Sequence, residues 1–177
     1  VRADAGAGHS AGEFAAHVVA GSLSFEDGLR LIRRRGEAMA GAGQDRPGTM
    51  VAVLGLTSDQ IDAVLAAVQA PQDLAAANYN SPGQVVLSGT REALDRASEE
   101  AKKAGAKKLV PLQVSAAFHS PLMEGAARDL SEALSRVSIH PAKFPVYANV
   151  SARPVSEPEE IRETLKRQLL MPVLWEQ

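Results

Sequence analysis

The sequence has no cysteine and only four histidines among its 177 residues. The absence of cysteine excludes disulfide bonds and cysteine-based metal sites, so the chain is compatible with a reducing compartment, and we expect a cytoplasmic protein. No metal ion and no cofactor is expected to take part in its function. Chemistry that depends on an imidazole has to use His9, His17, His119 or His140.

A strong excess of charge of either sign is also missing. The chain has 19 basic and 21 acidic side chains and a formal net charge of -2, which gives no electrostatic basis for binding nucleic acid. No apolar run approaches the ~20 residues that a membrane-spanning helix requires, and the first residues lack the apolar core of a signal peptide. We therefore expect neither nucleic acid nor a membrane among its partners.

Hydrophobic residues, in contrast, are plentiful. They make up 45% of the 177 residues, which is enough for one good-sized domain or for a domain that carries a smaller subdomain. A domain of this size buries roughly 70% of the surface of its unfolded chain.

Near its start the chain carries the pattern G-x-S-x-G, at residues 8–12. A serine hydroxyl is a weak nucleophile at neutral pH and needs both a base and donors for a developing oxyanion. The pattern is typical of a nucleophile elbow, in which small residues at Gly8 and Gly12 permit a sharp turn between a strand and a helix. Ser10 would then lie at the helix N-terminus, with the backbone N–H of Ala11 pointing at the reacting carbonyl. By itself the pattern also fits an ordinary glycine-rich turn.

Residues 49–114 have the pattern of a small subdomain. Apolar runs bounded by capping and turn residues predict the order strand, helix, strand, strand, helix, strand. The predicted strands are Met50–Leu56, Leu74–Asn78, Gln84–Ser88 and Lys108–Val114, and the predicted helices run from 57 to 69 and from 91 to 103. This βαββαβ order is typical of ferredoxin-like domains.

The flanking segments, 1–48 and 115–177, are predicted to form a second body, into which this subdomain is inserted. Because helices and strands are both predicted, the fold class is α/β. A helix is predicted to begin after Ser24 and to stop at the glycines of residues 41–43. The other predicted elements are helices at Glu13–Ala20, after Ser120 with Pro121 first, and from Ser156 to about Leu170, and a buried strand at Phe144–Val150.

The string GHSAGEF, at residues 8–14, resembles the GHSxGE motif of malonyl-CoA:acyl carrier protein transacylases and the related acyltransferase domains of fatty acid and polyketide synthases. Four more strings resemble this family in the same order, namely RLIRRRGEAM, NYNSPGQVVLSG, VSAAFHSPLM and RQLLMPVLW. The resemblance extends over essentially the whole chain. It implies an α/β-hydrolase-like core, formed by 1–48 and 115–177, with a ferredoxin-like subdomain, 49–114, inserted into it.

The resemblance implies transfer of a malonyl group from malonyl-CoA to the phosphopantetheine thiol of acyl carrier protein. Ser10 is then the nucleophile that becomes a malonyl ester, and His119 is the general base that takes its proton and later protonates the departing CoA thiolate. No acidic residue is expected to orient His119. The resemblance implies a serine–histidine dyad whose imidazole is held by backbone carbonyls and a nearby amide side chain. Asn78 is the candidate for that amide and is also expected among the substrate-binding residues.

Substrate selection is expected to depend on Arg35 and Phe118. The arginine-bearing helix of the family places Arg35 in the site, where a planar guanidinium binds the free carboxylate of a malonyl group through two hydrogen bonds. The aromatic residue before the catalytic histidine resembles the pattern of malonyl-selective acyltransferase domains. Phe118 is therefore expected to exclude a branched acyl group. Arg33 and Arg34 are expected on a solvated helix face.

The remaining candidates have less specific roles. His9 is expected to point away from the site and to be structural, and His17 and His140 are expected to be surface or packing residues. Because acyl carrier proteins are acidic, exposed lysines are candidate contacts for one, namely Lys107, Lys108 and Lys143.

Members of this family are longer than this chain. Their N-terminal GQGSQ-like loop, whose glutamine donates to the oxyanion, and a C-terminal glutamine segment near the histidine have no counterpart identified in the sequence. We therefore expect an incomplete chain whose activity on its own is doubtful. Two alternatives stay open: a serine esterase or thioesterase, with an Asp or Glu partner for the histidine and water as acceptor, and a non-catalytic remnant of an acyltransferase.

Overall fold

The computed structural model describes residues 3–177, so Val1 and Arg2, with which the predicted segment 1–48 begins, lie outside it. The chain is a mixed α/β protein. Its helices are α1 (Ala11–Val19), α2 (Phe25–Asp45), α3 (Ser58–Val68), α4 (Arg91–Lys103), α5 (Glu124–Ser135) and α6 (Pro158–Arg167). Its strands are β1 (Gly6–Ala7), β2 (Thr49–Leu54), β3 (Leu74–Ser81), β4 (Gln84–Gly89), β5 (Lys108–Pro111), β6 (Val146–Tyr147), β7 (Pro154–Val155) and β8 (Val173–Leu174). None of the helices within residues 3–177 is both long and apolar enough to cross a membrane.

The larger sheet has five strands in the order β5–β2–β4–β3–β8. The pairs among β5, β2, β4 and β3 are antiparallel, and β8, from the C-terminal segment, joins β3 in parallel. Because side chains alternate along a strand, Val51 and Val53 of β2 pack toward α3 and α4, while Met50 and Ala52 face the opposite side. Both faces of this sheet are therefore covered.

The smaller sheet consists of β1, β6 and β7, each two residues long. β1 is parallel to β6, which is antiparallel to β7. The predicted strand at Phe144–Val150 is thus much shorter than expected. Pro145 lacks an N–H, and the partner strands offer only two residues each for pairing.

A separate hydrophobic core lies among α1, α2, α5 and α6. Its members that are no more than 1% exposed include Phe14, Leu31, Leu130 and Leu165. Phe118 packs against this core and also against the face of the large sheet that carries Met50. The segment before α5 therefore lies at the junction of the two bodies.

The predicted end of α2 at residues 41–43 is wrong, because the helix continues to Asp45. A Cβ on Gly43 would lie 2.7 Å from the Cβ of Ala116 and 3.0 Å from the carbonyl oxygen of Ser115. Glycine at this position allows α2 to approach the segment before α5. It serves close packing rather than termination of the helix.

The caps of the helices agree with the sequence patterns except at α6. Ser24 and Ser120 each accept a hydrogen bond from a backbone N–H at the start of the following helix or 3₁₀ turn. Ser156 is not the cap of α6, whose N-cap is Glu157. Pro158 is the first helical residue, because its fixed φ suits the first turn and its missing N–H costs nothing there.

Candidate active site

Ser10 lies at the turn between β1 and α1, in a backbone conformation that residues other than glycine rarely adopt. Its φ is 52° and its ψ is -110°. The turn requires Gly8, because a Cβ there would lie 2.0 Å from the backbone oxygen of Gly12. A Cβ on Gly12 would meet no atom of residues 3–177 within 4 Å, so the expectation that the turn also needs a small residue at Gly12 is wrong for the part of the chain that the structure describes.

Asn149 holds this strained turn from the segment after β6. Its Oδ1 accepts a hydrogen bond from the Ser10 N–H at 2.7 Å, and its Nδ2 donates to the Gly8 carbonyl oxygen at 2.8 Å. Both ends of the buried amide are used, which fixes its orientation. Sequence reasoning missed Asn149 as a site residue. The available signal was a polar side chain within the apolar run Phe144–Val150.

His119 meets Ser10 although 109 positions separate the two in the chain. The Nε2 of His119 lies 2.8 Å from the Oγ of Ser10, and its Nδ1 lies 2.8 Å from the carbonyl oxygen of Gln168. A carbonyl oxygen can only accept, so Nδ1 carries the hydrogen of the neutral imidazole and Nε2 can accept the serine proton. The imidazole is therefore held by a backbone carbonyl.

Gln168 follows α6 directly, where the last carbonyl groups have no partner within the helix. The partial negative charge at this helix end favours the imidazolium that forms when His119 takes a proton. The expectation that a glutamine segment near the histidine is missing is wrong, because Gln168 lies within the string RQLLMPVLW. Within residues 3–177 the Nδ1 contact is this carbonyl, not the carboxylate that the esterase alternative predicts.

Burial controls the charge of the imidazole. His119 is 3% exposed, and burial lowers its pKa to about 4. The positive charge of Arg35 lowers this pKa further, whereas the hydrogen bond to the Gln168 carbonyl raises it. His119 is therefore neutral at pH 7 and able to act as a base.

Arg35 reaches the same hydroxyl from α2. Its Nη2 donates to the Ser10 Oγ at 2.8 Å, and its guanidinium carbon lies 6.0 Å from the centre of the Phe14 ring. Burial lowers the pKa of Arg35 to about 10, so the group stays charged at neutral pH. Its buried Nε has no acceptor among residues 3–177, which leaves an N–H for an anionic group. Arg33 and Arg34 are exposed and ion-paired at the surface, as expected.

Two other predicted residues lie beside the serine–histidine pair. Ala11 begins α1, and its N–H has no hydrogen-bond acceptor in the part of the chain that the structure describes. It is therefore open to a carbonyl oxygen next to Ser10. Phe118 directly precedes His119 and is partly buried between the helical core and the large sheet.

Among residues 3–177, Asn78 makes no hydrogen bond to the imidazole of His119. It lies in β3, opposite Val173 of β8, and the hydrogen bonds of His119 go to Ser10 and Gln168 instead. The predicted support of the histidine by Asn78 is therefore not found. The amide side chains at the site are those of Asn149 and Gln168.

His9 turns away from the hydroxyl, as expected for a structural residue. Its Nε2 lies 3.0 Å from Asn80 Oδ1, and its ring meets the Trp175 ring in an edge-to-face arrangement with centroids 5.4 Å apart. These contacts connect the elbow to β3 and to the C-terminal segment. His140 is exposed.

His17 is a buried packing residue whose titration links stability to pH. Its Nδ1 lies 3.3 Å from Ser22 Oγ, its Nε2 has no partner among the described residues, and burial lowers its pKa to about 4. The folded pKa is below the unfolded value of about 6.5. The stability that His17 contributes is thus present above that unfolded value and lost as the pH falls toward 4.

Replacing His17 by glutamine is expected to weaken this dependence on pH. Relative to the His17→Gln variant, the unmodified protein should lose about 2 kcal/mol of unfolding free energy between about pH 7.5 and pH 5. Urea unfolding followed by circular dichroism measures the difference, with His140→Gln at an exposed position as the control. Identical pH dependence of His17→Gln and the unmodified protein would contradict the buried neutral imidazole.

The fold and the site together define a class of protein. It is a mixed α/β protein in which a serine at a strained strand–helix turn contacts a neutral imidazole and a buried guanidinium. This arrangement suits acyl transfer through a serine. The whole chain, residues 1–177, matches the acyl transferase domain family, and the protein belongs to that family.

Similar proteins have more specific names. A malonyl CoA-acyl carrier protein transacylase from Bacillus subtilis (strain 168) is 45% identical over 172 residues, which are 97% of this chain and 54% of that protein. The solved malonyl CoA-acyl carrier protein transacylase from Coxiella burnetii matches with a TM-score of 0.93 and 39% identity, over 99% of this chain and 55% of that one. A malonyl-transacylase solved in complex with its type II PKS acyl-carrier protein gives a TM-score of 0.93 and 39% identity, over 99% and 57%. The chain spans about half the length of these relatives.

Proposed function

We propose that the protein transfers a malonyl group from malonyl-CoA to the phosphopantetheine thiol of an acyl carrier protein, through a malonyl ester of Ser10. The observation that carries this proposal is the Ser10 Oγ, which lies 2.8 Å from His119 Nε2 and 2.8 Å from Arg35 Nη2. The imidazole can take the proton of the hydroxyl, and the guanidinium can bind a carboxylate next to it. The pair therefore suits an acyl group that carries a free carboxylate, as malonyl does. The names of the similar proteins support the same reaction.

The first step forms the ester. His119 Nε2 takes the hydroxyl proton while the Ser10 Oγ attacks the thioester carbonyl, and the N–H of Ala11 donates to the oxygen that becomes negative. The carbon–sulfur bond then breaks, and the imidazolium gives its proton to the departing CoA thiolate. Malonyl-Ser10 and free CoA are the products, and His119 is neutral again.

The second step repeats this chemistry with a different sulfur. The phosphopantetheine thiol gives its proton to His119 and attacks the ester carbonyl of malonyl-Ser10. The bond to Oγ breaks, and the imidazolium returns the proton to the oxygen of Ser10. The carrier protein leaves as malonyl thioester, and these steps use no metal ion and no cofactor.

The substrate is selected at both ends of the acyl group. The guanidinium of Arg35 binds the free carboxylate, while an acetyl group would leave the buried cation unpaired. Phe118, next to His119, narrows the space beside the acyl α-carbon and disfavours a branch methyl group. The acidic carrier protein approaches the exposed lysines Lys107, Lys108 and Lys143.

The architecture that we propose for this reaction is an α/β-hydrolase-like core, 1–48 and 115–177, with a ferredoxin-like subdomain, 49–114, inserted into it. The strand order β5–β2–β4–β3 in antiparallel pairing supports the second part of this proposal. The hydrophobic core among α1, α2, α5 and α6 is separate from the cluster between the large sheet and α3 and α4, which supports the division. We place the protein in the cytoplasm, where both substrates are found.

Intact mass spectrometry tests the proposed function. The protein expressed from its complete reading frame is incubated with malonyl-CoA alone, and we expect the mass to rise by one malonyl group, which peptide mapping places on Ser10. Addition of a carrier protein should remove the group within one turnover. Release of CoA without an ester would favour the esterase or thioesterase alternative, and no reaction would favour a non-catalytic remnant.

A further inference from the structure

Glu13 is a fully buried carboxyl group that the proposed steps do not use. It lies in the first turn of α1, three residues after Ser10, and is 0% exposed. A carboxyl group in an apolar interior is unfavourable unless hydrogen bonds satisfy it. Its Oε2 accepts a hydrogen bond from Gln168 Nε2 at 2.6 Å.

The amide of Gln168 connects Glu13 with the backbone of the elbow. Its Nε2 donates to the Ser10 carbonyl oxygen at 3.0 Å as well as to Glu13 Oε2. The reverse orientation of the amide would place its oxygen against two acceptors, so the orientation is determined. The Gln168 side chain is therefore held at two points.

The backbone carbonyl of the same Gln168 holds the imidazole of His119 at Nδ1. Glu13 itself does not touch the reacting hydroxyl, yet it holds the residue whose carbonyl contacts the imidazole at Nδ1. We propose that Glu13 is a positioning residue, which anchors Gln168 so that His119 Nε2 stays aimed at Ser10. This inference rests on the proposed function, because His119 acts as the base there.

The hydrogen-bond acceptor of Glu13, rather than its charge, performs this positioning. Burial raises the pKa of Glu13 to about 7, while the bond from Gln168 and the charge of Arg35 oppose the increase. Both the neutral and the ionised carboxyl group offer an oxygen to Gln168. An amide at this position should therefore replace the carboxyl group, whereas an aliphatic side chain of similar size should not.

A double-mutant cycle tests the proposal in the protein expressed from its complete reading frame. Glu13→Gln should keep kcat for malonyl transfer within about threefold, whereas Glu13→Leu should lower kcat by about 10²-fold, the effect of misplacing a catalytic group, with little change in KM for malonyl-CoA. Gln168→Met removes the amide and keeps the backbone carbonyl. Its kcat should fall by a similar factor. The double variant Glu13→Leu/Gln168→Met should lose no more kcat than the slower of the two single variants.

A second measurement does not depend on activity. The ¹⁵N chemical shifts of the His119 ring should show hydrogen on Nδ1 in the unmodified protein and in Glu13→Gln, and a mixture of tautomers in Glu13→Leu. Unchanged kcat and unchanged shifts in Glu13→Leu would overturn the positioning role. Equal losses in Glu13→Gln and Glu13→Leu would overturn it too, in favour of a requirement for charge.

The two proposals can fail separately. If the unmodified protein forms no malonyl ester, the proposed function fails, and the ring shifts of His119 still decide whether Glu13 positions the imidazole. If the ester forms and Glu13→Leu transfers malonyl normally, only the positioning role fails. Thermal unfolding of each folded variant, compared with Glu13→Gln, separates a local effect from a general loss of structure.

Discussion

Replacing Ser10 by alanine in the protein expressed from its complete reading frame is expected to lower kcat for malonyl transfer by about 10⁶-fold, because no other group can carry the acyl intermediate. Replacing His119 by alanine is expected to cost nearly as much, since the hydroxyl and the imidazole share one proton transfer at 2.8 Å. Transfer of labelled malonyl to a carrier protein measures both effects. The double variant Ser10→Ala/His119→Ala should be no slower than the slower single variant, because the two groups act as a unit.

Ser115 provides the control for this result. It is an exposed serine four residues before His119, and Ser115→Ala should transfer malonyl at the unmodified rate. If the loss of kcat in the double variant equalled the product of the losses in Ser10→Ala and His119→Ala, the two groups would act independently. Residual transfer by Ser10→Ala within about 10²-fold of the unmodified protein would place the nucleophile elsewhere.

Replacing Arg35 by alanine is expected to change the choice of substrate. Malonyl transfer should fall by about 10²–10³-fold in kcat/KM, which corresponds to the loss of a charge-assisted bidentate contact in a buried site, while acetyl transfer is kept. The ratio of the two rates is the quantity to measure. Arg35 also donates to the Ser10 Oγ at 2.8 Å, and any effect of losing that bond would be the same for both substrates and would cancel in the ratio.

Neighbouring variants distinguish the carboxylate contact from a general effect of charge. Arg34→Ala removes an exposed, ion-paired guanidinium one position earlier in α2 and should leave the ratio unchanged. Arg35→Lys keeps the charge without the planar pair of donors, and its ratio should lie between those of the other two. Equal losses of malonyl and acetyl transfer in Arg35→Ala would remove Arg35 from substrate selection.

Local patterns predicted most of the secondary structure between residues 49 and 114. Capping residues such as Thr57 and Thr90, which act within a single turn, mark helices that begin where the sequence indicates. The pattern failed where a long-range contact decided the conformation. Gly43 was interpreted as a helix stop. Instead, its lack of a Cβ allows close packing against Ala116, which is distant in the sequence.

The site divides in the same way. Ser10 was predicted from the G-x-S-x-G pattern, and His119 and Arg35 were predicted from the resemblance of their strings to the family. The residues that hold them were missed, because Asn149 and Gln168 contribute a single amide or carbonyl and no local pattern connects them with a serine far away in the chain. Asn78 was chosen for that task, but the hydrogen bonds of the His119 ring go to Ser10 and Gln168.

The sequence by itself determined the chemical groups of this protein: a serine between glycines, a histidine before a helix and an arginine in an amphipathic helix. The turn and the helices that carry these groups depend on neighbours within one or two turns, so they can be predicted from local patterns, while the resemblance to the family marked the histidine and the arginine. Only the tertiary structure decided which atoms meet. The carbonyl at the end of α6 holds the imidazole, and Glu13 turns inward to an amide, because packing of α1 against the C-terminal segment buries their polar groups together, where each must find a partner.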